Sequence, residues 1–500
     1  MPMPGRATVV MPVAMALTAH RKLGQRASLT RLGDLTRGHR VQRVTDTNPS
    51  PLAAGTARHL LANVARLQRT GRVPSLVAGV VRDGSLTWST GRGLVDGAEP
   101  DADVQYRVGS ITKTVTAIAI LRLRDEGLLD LGDPLDRHVP GTPFGDRTLG
   151  QLLAHDAGLR AEAPGPWWER TPGQTWAELA AQFGATEAPH AAGRRFHYSN
   201  LGYAALGEVI SRIRNRNWAD VVHNEILLPL GMNRTTTRPD GRAARGWAVH
   251  PWADVLQPEP EHDAGALAPA GQLWATLTDL GRLAAFLIGD TGDVLETASL
   301  AEMREPAGVD AASSDWAAYG LGLQLLRLNG VTYTGHTGSM PGFTCSLWVD
   351  VDQHTGGVAL ANATTGMDGG VGHRLLRIVR DHEPHVVPAW EPLAFIDEDD
   401  LSLVGPWYWG TSSYALRMGA DGELELLPLL GGGRGARFRR RDDGTWTGLN
   451  GYHAGEPLRP VLDDDGRVIA LDLGSFIFTR IPYDPAAPVP GGTHPTGWGE

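Results

Sequence analysis

The sequence predicts an α+β fold, an antiparallel sheet flanked by helices with a mostly helical region inserted, followed by a small antiparallel β-barrel-like domain. Three patterns support this fold class. A helical pattern is followed by two β-prone runs around the turn dipeptide Asp83-Gly84, and a second strand-rich region begins only at Val331. Beyond residue 401, short alternating runs are separated by Asp-Gly and Asn-Gly turns. Because helices and loops lie between the two strand-rich regions, we expect one sheet assembled from distant segments.

The elements that open the fold are predicted from spacing and turn residues. The first helix starts at Thr56, which is placed to cap it, and ends at Gly71. Residues 76–81 and 86–89 then form an antiparallel hairpin. Residues 110–126 form a helix that is apolar enough to be buried.

The second strand-rich region completes the predicted sheet. Residues 331–334, 343–350 and 357–361 form three strands of a meander, joined by turns rich in Gly, Asn and Asp. A helix over residues 371–379 follows and is placed to return over that sheet.

Changes in composition divide the chain into five predicted segments. Prolines and an acidic cluster mark a linker, and a tail rich in proline and glycine is expected to be disordered. The segments are a disordered leader (1–55), an α+β domain (56–383), the linker (384–400), an all-β domain (401–481) and the tail (482–500).

Charge and cysteine content exclude several classes of protein. The 46 basic and 56 acidic residues give a net charge of -10 that is spread along the chain. This balance provides no electrostatic footprint for nucleic acid or an anionic membrane. With Cys345 as its single cysteine, the chain forms no intrachain disulfide and no cysteine-based metal site. The histidines lack regular ligand spacing, so we expect neither a metal nor a cofactor.

The apolar run near the start, residues 8–19, is broken by a proline and is well short of the ~20 residues that span a bilayer. No transmembrane helix is therefore predicted. Because the run follows Arg6, a secretory signal cleaved near Ala14-Met15-Ala16 is an alternative to a disordered leader. We favour the disordered leader, and with it a cytoplasmic over a secreted location.

The two lysines are the most informative basic residues. All other basic side chains are arginines, which keep their proton in proteins, whereas a desolvated lysine becomes a neutral amine base. Lys22 lies in the leader, but Lys113 lies one helical turn after Ser110, so its amine can reach the hydroxyl. A serine hydroxyl is a weak nucleophile until a base takes its proton, and the helix start adds N–H groups for an oxyanion. The alternative is a capping serine with an unrelated surface lysine.

The tripeptide Tyr198-Ser199-Asn200 precedes an apolar helical pattern and supplies two further groups. A phenol near a lysine can share a proton with it, so that either group is the working base. The asparagine amide can bind a substrate carbonyl. The alternative is an ordinary loop that leads into a helix.

The tripeptide His336-Thr337-Gly338 ends the predicted strand 331–334. A glycine there lets a substrate lie against the strand edge, and the next N–H, on Ser339, can complete an oxyanion hole. The same letters recur at residues 354–356, but within a predicted turn, so we favour the first copy.

The order serine-x-x-lysine, tyrosine-serine-asparagine, histidine-threonine-glycine resembles the serine DD-carboxypeptidases and their penicillin-binding relatives. These relatives include the class C β-lactamases, the β-lactamase-like esterases and the D-aminopeptidases. The resemblance covers residues 56–382, and the segments 106–113, 152–159, 229–232 and 269–279 agree with it. It implies a β-lactamase/transpeptidase-like fold with an all-helical subdomain. The C-terminal module resembles the lipocalin-like additions found on some of these hydrolases.

The resemblance implies a role for each residue of the first two motifs. Ser110 is the acylated nucleophile, and Lys113 and Tyr198 handle its proton. Asn200 holds the carbonyl of the substrate.

The resemblance also implies a role for the third motif. His336, Thr337 and Gly338 form the opposite wall, where His336 is counted with the catalytic residues. The N–H groups of Ser110 and Ser339 form the oxyanion hole. Typical class C β-lactamases have lysine in place of His336, and this departure weakens an antibiotic-resistance interpretation without affecting acyl transfer.

We therefore expect an enzyme, a serine acyl hydrolase that acts through a covalent acyl-enzyme on a small-molecule or peptide amide, ester or lactam. One alternative is an acyltransferase or peptide-cyclising thioesterase, and another is a non-catalytic receptor in which slow acylation is the signal. His155 and Asp156 are interpreted as a helix end satisfied by the backbone and not as catalytic partners. Neither the individual substrate nor an oligomeric state is predicted.

Overall fold

The computed structural model describes residues 51–309, 316–384, 386, 389–430, 432–441 and 443–482. The predicted leader, up to residue 50, and the predicted tail, from residue 483, lie outside the described residues. The described chain falls into two compact units, divided between Ile378 and Val379. The domain boundaries placed at residues 383 and 400 stay predictions.

The described α-helices up to His382 have four to seven residues, except for five that have 12 to 17. No helix in the described ranges is long and apolar enough to cross a bilayer. A π-helical turn at His223–Leu227 follows the sixth helix. The helices are α1 (Ala54–Thr70), α2 (Ile111–Asp125), α3 (Leu149–Leu153), α4 (Trp176–Ala180), α5 (Asn200–Arg214), α6 (Trp218–Val222), α7 (Ala268–Gly271), α8 (Leu277–Ile288), α9 (Thr297–Met303) and α10 (Val371–His382).

Helix α1 begins two residues earlier than predicted. The carbonyl oxygen of Ala53 accepts the first helical hydrogen bond, from the N–H of Ala57, at 3.0 Å. Thr56 is therefore buried within the first turn and does not cap the helix. The predicted end at Gly71 is confirmed, since its N–H bonds back to the last turn.

The strands of the first unit assemble the predicted α+β architecture, which is confirmed. Eight of them form one antiparallel sheet in the order β2-β1-β12-β11-β10-β9-β8-β7, and β3–β6 and β4–β5 form two-stranded pairs. The strands are β1 (Ser75–Arg82), β2 (Ser85–Gly93), β3 (Tyr106–Arg107), β4 (Trp247–Val249), β5 (Leu256–Pro258), β6 (Trp274–Ala275), β7 (Gly308–Val309), β8 (Trp316–Tyr319), β9 (Gln324–Leu328), β10 (Val331–Met340), β11 (Phe343–Asp350) and β12 (Thr355–Ala361).

Strand β10 is six residues longer than predicted. It pairs with β11 along residues 334–340, so that His336 lies within a strand and not after one. The second copy of its motif also differs from expectation, because Thr355 and Gly356 already belong to β12 and only His354 lies in the turn.

The sheet separates two packed layers, as β11 shows. Leu347 and Val349 belong to the main hydrophobic core, whereas Trp348 packs with Tyr333 and Leu376 in a separate cluster. This alternation follows from the two-residue period of a strand. Helix α2 contacts β10, α5 and α7. Twelve of its 15 residues are buried, as its apolar sequence predicts.

The second unit is a closed antiparallel β-barrel, which confirms the predicted barrel-like domain. Its interior is filled by apolar side chains, among them Trp407, Phe438 and Trp446. The elements are α11 (Glu398–Leu403), β13 (Gly405–Trp409), β14 (Ser412–Met418), β15 (Leu424–Pro428), β16 (Ala436–Arg440), β17 (Trp446–Gly448), β18 (Pro457–Leu462), β19 (Val468–Leu473) and β20 (Phe476–Thr479).

Candidate active site

Ser110 stands at the start of α2, with Lys113 one turn along the helix. Nζ of Lys113 donates to Oγ of Ser110 at 3.0 Å and to the carbonyl oxygen of Ala270 at 2.7 Å. Burial lowers the pKa of Lys113 to about 7, although the carboxylates of Glu162 and Glu169 raise it. Near neutral pH a large fraction of this amine is therefore uncharged and able to take the Ser110 proton.

Tyr198 lies over the same pair. Nζ of Lys113 lies 4.9 Å from the centroid of its ring, and the side chains of Tyr198 and Ser110 line one cavity. Burial raises the pKa of the Tyr198 phenol far above its usual value, although the nearby Ser110 hydroxyl acts in the opposite direction. The phenol therefore keeps its proton at neutral pH, and the amine is the group with an accessible neutral form.

His336 faces the site from β10 as a neutral ring. Its Nδ1 lies 2.6 Å from the carbonyl oxygen of Thr337, which can only accept, so Nδ1 carries the proton. Its Nε2 therefore accepts from the hydroxyl of Tyr319, at 2.9 Å. Burial, and then the nearby Lys113, lowers the pKa of His336 to about 3. Both ring nitrogens are thus bonded to the protein, and the catalytic role of His336 stays a prediction.

Gly338 brings β10 into contact with the turn before α2. A Cβ atom on Gly338 would lie 1.9 Å from the carbonyl oxygen of Val108 and 3.3 Å from the nitrogen of Ser110. One on Gly109, whose φ is +53°, would lie 2.6 Å from the nitrogen of Ser339. The N–H groups of Ser110 and Ser339 thus belong to touching backbone segments, an arrangement that suits a pair of oxyanion donors.

Asn200 is held by a carboxylate. Ser199 caps α5 by accepting from the N–H of Gly202 at 3.0 Å, which sets Asn200 at the first position of the helix. Nδ2 of Asn200 lies 2.9 and 3.0 Å from the two carboxylate oxygens of Glu162, which also accepts from Nε1 of Trp168 at 2.7 Å. A substrate carbonyl would therefore share the Asn200 amide with Glu162.

These groups surround a cavity of about 350 Å³, large enough for a small acyl group. Six of the eight predicted site residues line it, while Lys113 is buried behind Ser110 and Asn200 lies beside Glu162. Across the described ranges, no group of three or more His, Cys, Asp or Glu side chains is arranged to hold a metal ion. The cavity is lined by Ser110, Tyr198, Gln324, His336, Thr337, Gly338, Ser339, Thr344, Cys345, Met367 and Gly369.

Three residues that sequence reasoning did not place at the site are found around it. Tyr319 bonds to His336, Glu162 bonds to Asn200, and the ring of His155 packs on a site tyrosine. Tyr319 and Glu162 carry no sequence signal, because only the folded sheet and loop bring them to their partners. His155 lies in segment 152–159, which agrees with the family resemblance, so the sequence did contain a signal that this residue belongs near the site.

The comparisons with known proteins establish the family. Residues 60–380 match the beta-lactamase family, and the chain therefore belongs to it. Membership of this family of serine hydrolases confirms the predicted enzyme class. The likeness to the structures of a D-alanine carboxypeptidase and a class C β-lactamase mutant confirms the predicted fold. Residues 396–480 match a domain family of unknown function, DUF7586.

Individual relatives are distant. The chain is 24% identical over 294 residues to beta-lactamase-like protein 2 of Dictyostelium discoideum, which covers 54% of this chain and 53% of that protein. It spans about half the length or less of the curated relatives it matches. The octameric penicillin-binding protein homologue from Pyrococcus abyssi superposes with a TM-score of 0.60 at 20% identity, covering 85% of this chain and 100% of the other. A D-stereospecific amidohydrolase from Streptomyces sp. superposes with a TM-score of 0.54 at 28% identity, covering 67% and 99%.

Proposed function

We propose that this serine hydrolase cleaves an amide or ester bond through a covalent acyl-enzyme at Ser110. The observation that carries the proposal is the 3.0 Å hydrogen bond between Nζ of Lys113 and Oγ of Ser110, made by a fully buried amine whose pKa falls to about 7. A neutral amine next to a hydroxyl is the arrangement that turns a serine into a nucleophile.

The chemistry proceeds in two stages. Oγ of Ser110 attacks the carbonyl carbon while Lys113 takes its proton, and the N–H groups of Ser110 and Ser339 stabilise the oxyanion that forms. When the C–N or C–O bond breaks, the leaving group takes a proton from the Tyr198 hydroxyl, which recovers one from Lys113. Water then attacks the carbonyl carbon of the acylated serine and gives its proton to Tyr198, which passes one to Lys113. The acid is released as the Ser110 oxygen takes a proton back from Lys113.

The charges at the site favour substrates without a carboxylate near the scissile bond. Among the described residues that line the cavity, none is lysine or arginine, and His336 is neutral and fully bonded. Glu162 adds a negative charge next to Asn200. We therefore favour amides and esters over lactams that carry a carboxylate, and the likeness to a D-stereospecific amidohydrolase supports this choice.

Covalent labelling tests the proposal directly. A fluorophosphonate probe should label the wild-type chain at Ser110, and Ser110→Ala should abolish the labelling. Ser89→Ala removes an exposed serine on β2 and is the matched control, which should label normally. Labelling of Ser110→Ala at another serine would show that the nucleophile is misassigned.

Product analysis separates hydrolysis from the alternatives. With p-nitrophenyl esters and D-aminoacyl amides we expect the free acid as product, and nitrocefin should react slowly. A conjugate with an added amine, formed in place of the acid, would indicate an acyltransferase. An acyl group that stays on Ser110 for hours without turnover would indicate a receptor.

A further inference from the structure

His155 contacts Tyr198 and both of its chain neighbours. Its carbonyl oxygen accepts from the N–H of His197 at 2.8 Å, and its Nδ1 accepts from the N–H of Ser199 at 3.0 Å. Its ring lies against the ring of Tyr198, with centroids 4.1 Å apart and planes inclined by 35°. One residue therefore holds the backbone before and after the tyrosine as well as the face of its ring.

The conformation of His155 is unfavourable in two respects. Its φ is +57°, in the left-handed region that side chains with a Cβ rarely adopt, and the side chain is buried. Since Nδ1 accepts a hydrogen bond, the proton of the neutral ring is on Nε2, and Nε2 has no hydrogen-bond partner in the part of the chain described. Both features reduce stability, so the position is better explained by a role at the site than by folding.

The charge state of His155 agrees with its hydrogen bonds. Burial, followed by the nearby Lys113, His336 and His197, lowers the pKa of His155 well below its usual value. The ring is therefore neutral, and Nδ1 stays available as an acceptor for Ser199.

We propose that His155 is a positioning residue, which holds the Tyr198 phenol against Ser110 and over Lys113. This inference rests on the proposed function, because it assigns His155 an effect on acylation through Tyr198. Without the histidine ring, the phenol can turn away from Ser110, and water can reach the Lys113 amine. Acylation then becomes slower, and the amine needs a higher pH to lose its proton.

Two substitutions separate the contacts of His155. His155→Asn keeps a short acceptor for Ser199 and tolerates a left-handed backbone, but it removes the ring. His155→Phe keeps a ring on Tyr198 but removes the acceptor. We expect acylation of Ser110 by the fluorophosphonate probe to slow by about 10- to 100-fold in His155→Asn, with its pH profile moved upward, and less in His155→Phe. His453→Asn is the matched control, because His453 is also a buried histidine but lies in the barrel domain. This variant should acylate at the wild-type rate.

A double-mutant cycle decides whether His155 acts through the phenol. In a Tyr198→Phe background, His155→Asn should cause little further loss of acylation rate. A full additional loss there would overturn the proposal, as would wild-type rates and pH profiles in both His155 variants. If His155→Asn does not fold, as judged by circular dichroism, the cycle is run with His155→Phe. A wild-type chain that is not labelled at Ser110 contradicts the proposed function, whereas labelling at Ser110 with additive losses contradicts the role of His155 alone.

Discussion

The hydroxyl of Tyr319 lies 2.9 Å from Nε2 of His336. Because Nδ1 of the same ring already donates to Thr337, this contact leaves the imidazole neutral and without a free N–H. The strand that faces Ser110 therefore offers a substrate no positive charge at the position where typical class C β-lactamases have lysine.

A pair of substrates tests whether this strand offers a substrate no positive charge. A peptide ending in D-Ala-D-Ala and the same peptide with an amidated end differ only in the terminal carboxylate. We expect kcat/KM for the carboxylate form to be equal to or lower than that for the amidated form, since the described residues that line the cavity include no lysine or arginine and Glu162 repels a carboxylate. A preference of about tenfold for the carboxylate form, worth about 1.4 kcal/mol, would contradict the conclusion that His336 and its strand offer no positive charge.

The pH dependence of acylation reports on Lys113. Its pKa is lowered to about 7, and only the neutral amine accepts a proton. The single-turnover rate of Ser110 acylation should therefore increase with pH and level off above about pH 7. A rate that does not change between about pH 5 and 9 would exclude Lys113 as the base.

Lys113→Met should abolish acylation and change how stability depends on pH. The folded pKa of about 7 lies below the ordinary value of 10.5, so between them the unfolded chain binds more protons. The wild-type free energy of unfolding therefore rises with pH in this window, by up to about 1.4 kcal/mol per pH unit, and the variant lacks this increase. Denaturant unfolding at about pH 6 and 9 measures the difference. The variant should be most stable relative to wild type at the lower pH. A stability difference of equal size at the two pH values would show that Lys113 is charged when buried.

Glu162→Gln should shift the acylation profile to lower pH. The carboxylate raises the pKa of Lys113, and the variant removes that charge while keeping an acceptor for Asn200. At about pH 6 the fraction of the maximal rate should increase by about two- to fivefold. Glu208→Gln, which changes a carboxylate on α5 that pairs with Arg212, is the matched control and should leave the profile in place. A shift of equal size in both variants would point to a general charge effect.

Gly338→Ala should disrupt the junction between β10 and α2. The added Cβ would lie 1.9 Å from the carbonyl oxygen of Val108, so the backbone next to Ser110 must move. We expect acylation to fall by at least about tenfold and stability to fall by about 1–3 kcal/mol, as in other overpacked sites. Gly55→Ala, where a Cβ meets nothing within 4 Å, should be neutral or slightly stabilising. Wild-type labelling rates in Gly338→Ala would argue against an oxyanion hole at this junction.

Residues whose neighbours are local could be predicted from the sequence. Ser110 and Lys113 share a helical turn, so their spacing alone predicts that the two side chains meet. The burial of α2 follows from its apolar sequence, and the barrel follows from alternation and turn dipeptides. The order of the three motifs then indicated which distant segments belong together.

Features set by tertiary pairing could not be predicted. The end of β10 was placed at residue 334 because glycine and polar residues follow it, yet pairing with β11 extends the strand to Met340. The state of His336 depends on Tyr319, which reaches it only through the folded sheet. Likewise the engagement of Asn200 by Glu162 depends on a loop whose path no periodicity describes.

The pairing of Leu76 with Ala361 joins β1 and β12, the strands of the eight-stranded sheet that come first and last along the chain. During synthesis, the segment that carries Ser110 leaves the ribosome long before the strands that complete its surroundings. Contacts between such remote parts of a chain form slowly, and they form late. A half-made polypeptide thus has the serine and the lysine without the third motif beside them, and the candidate site is complete only once β10 to β12 have joined the sheet.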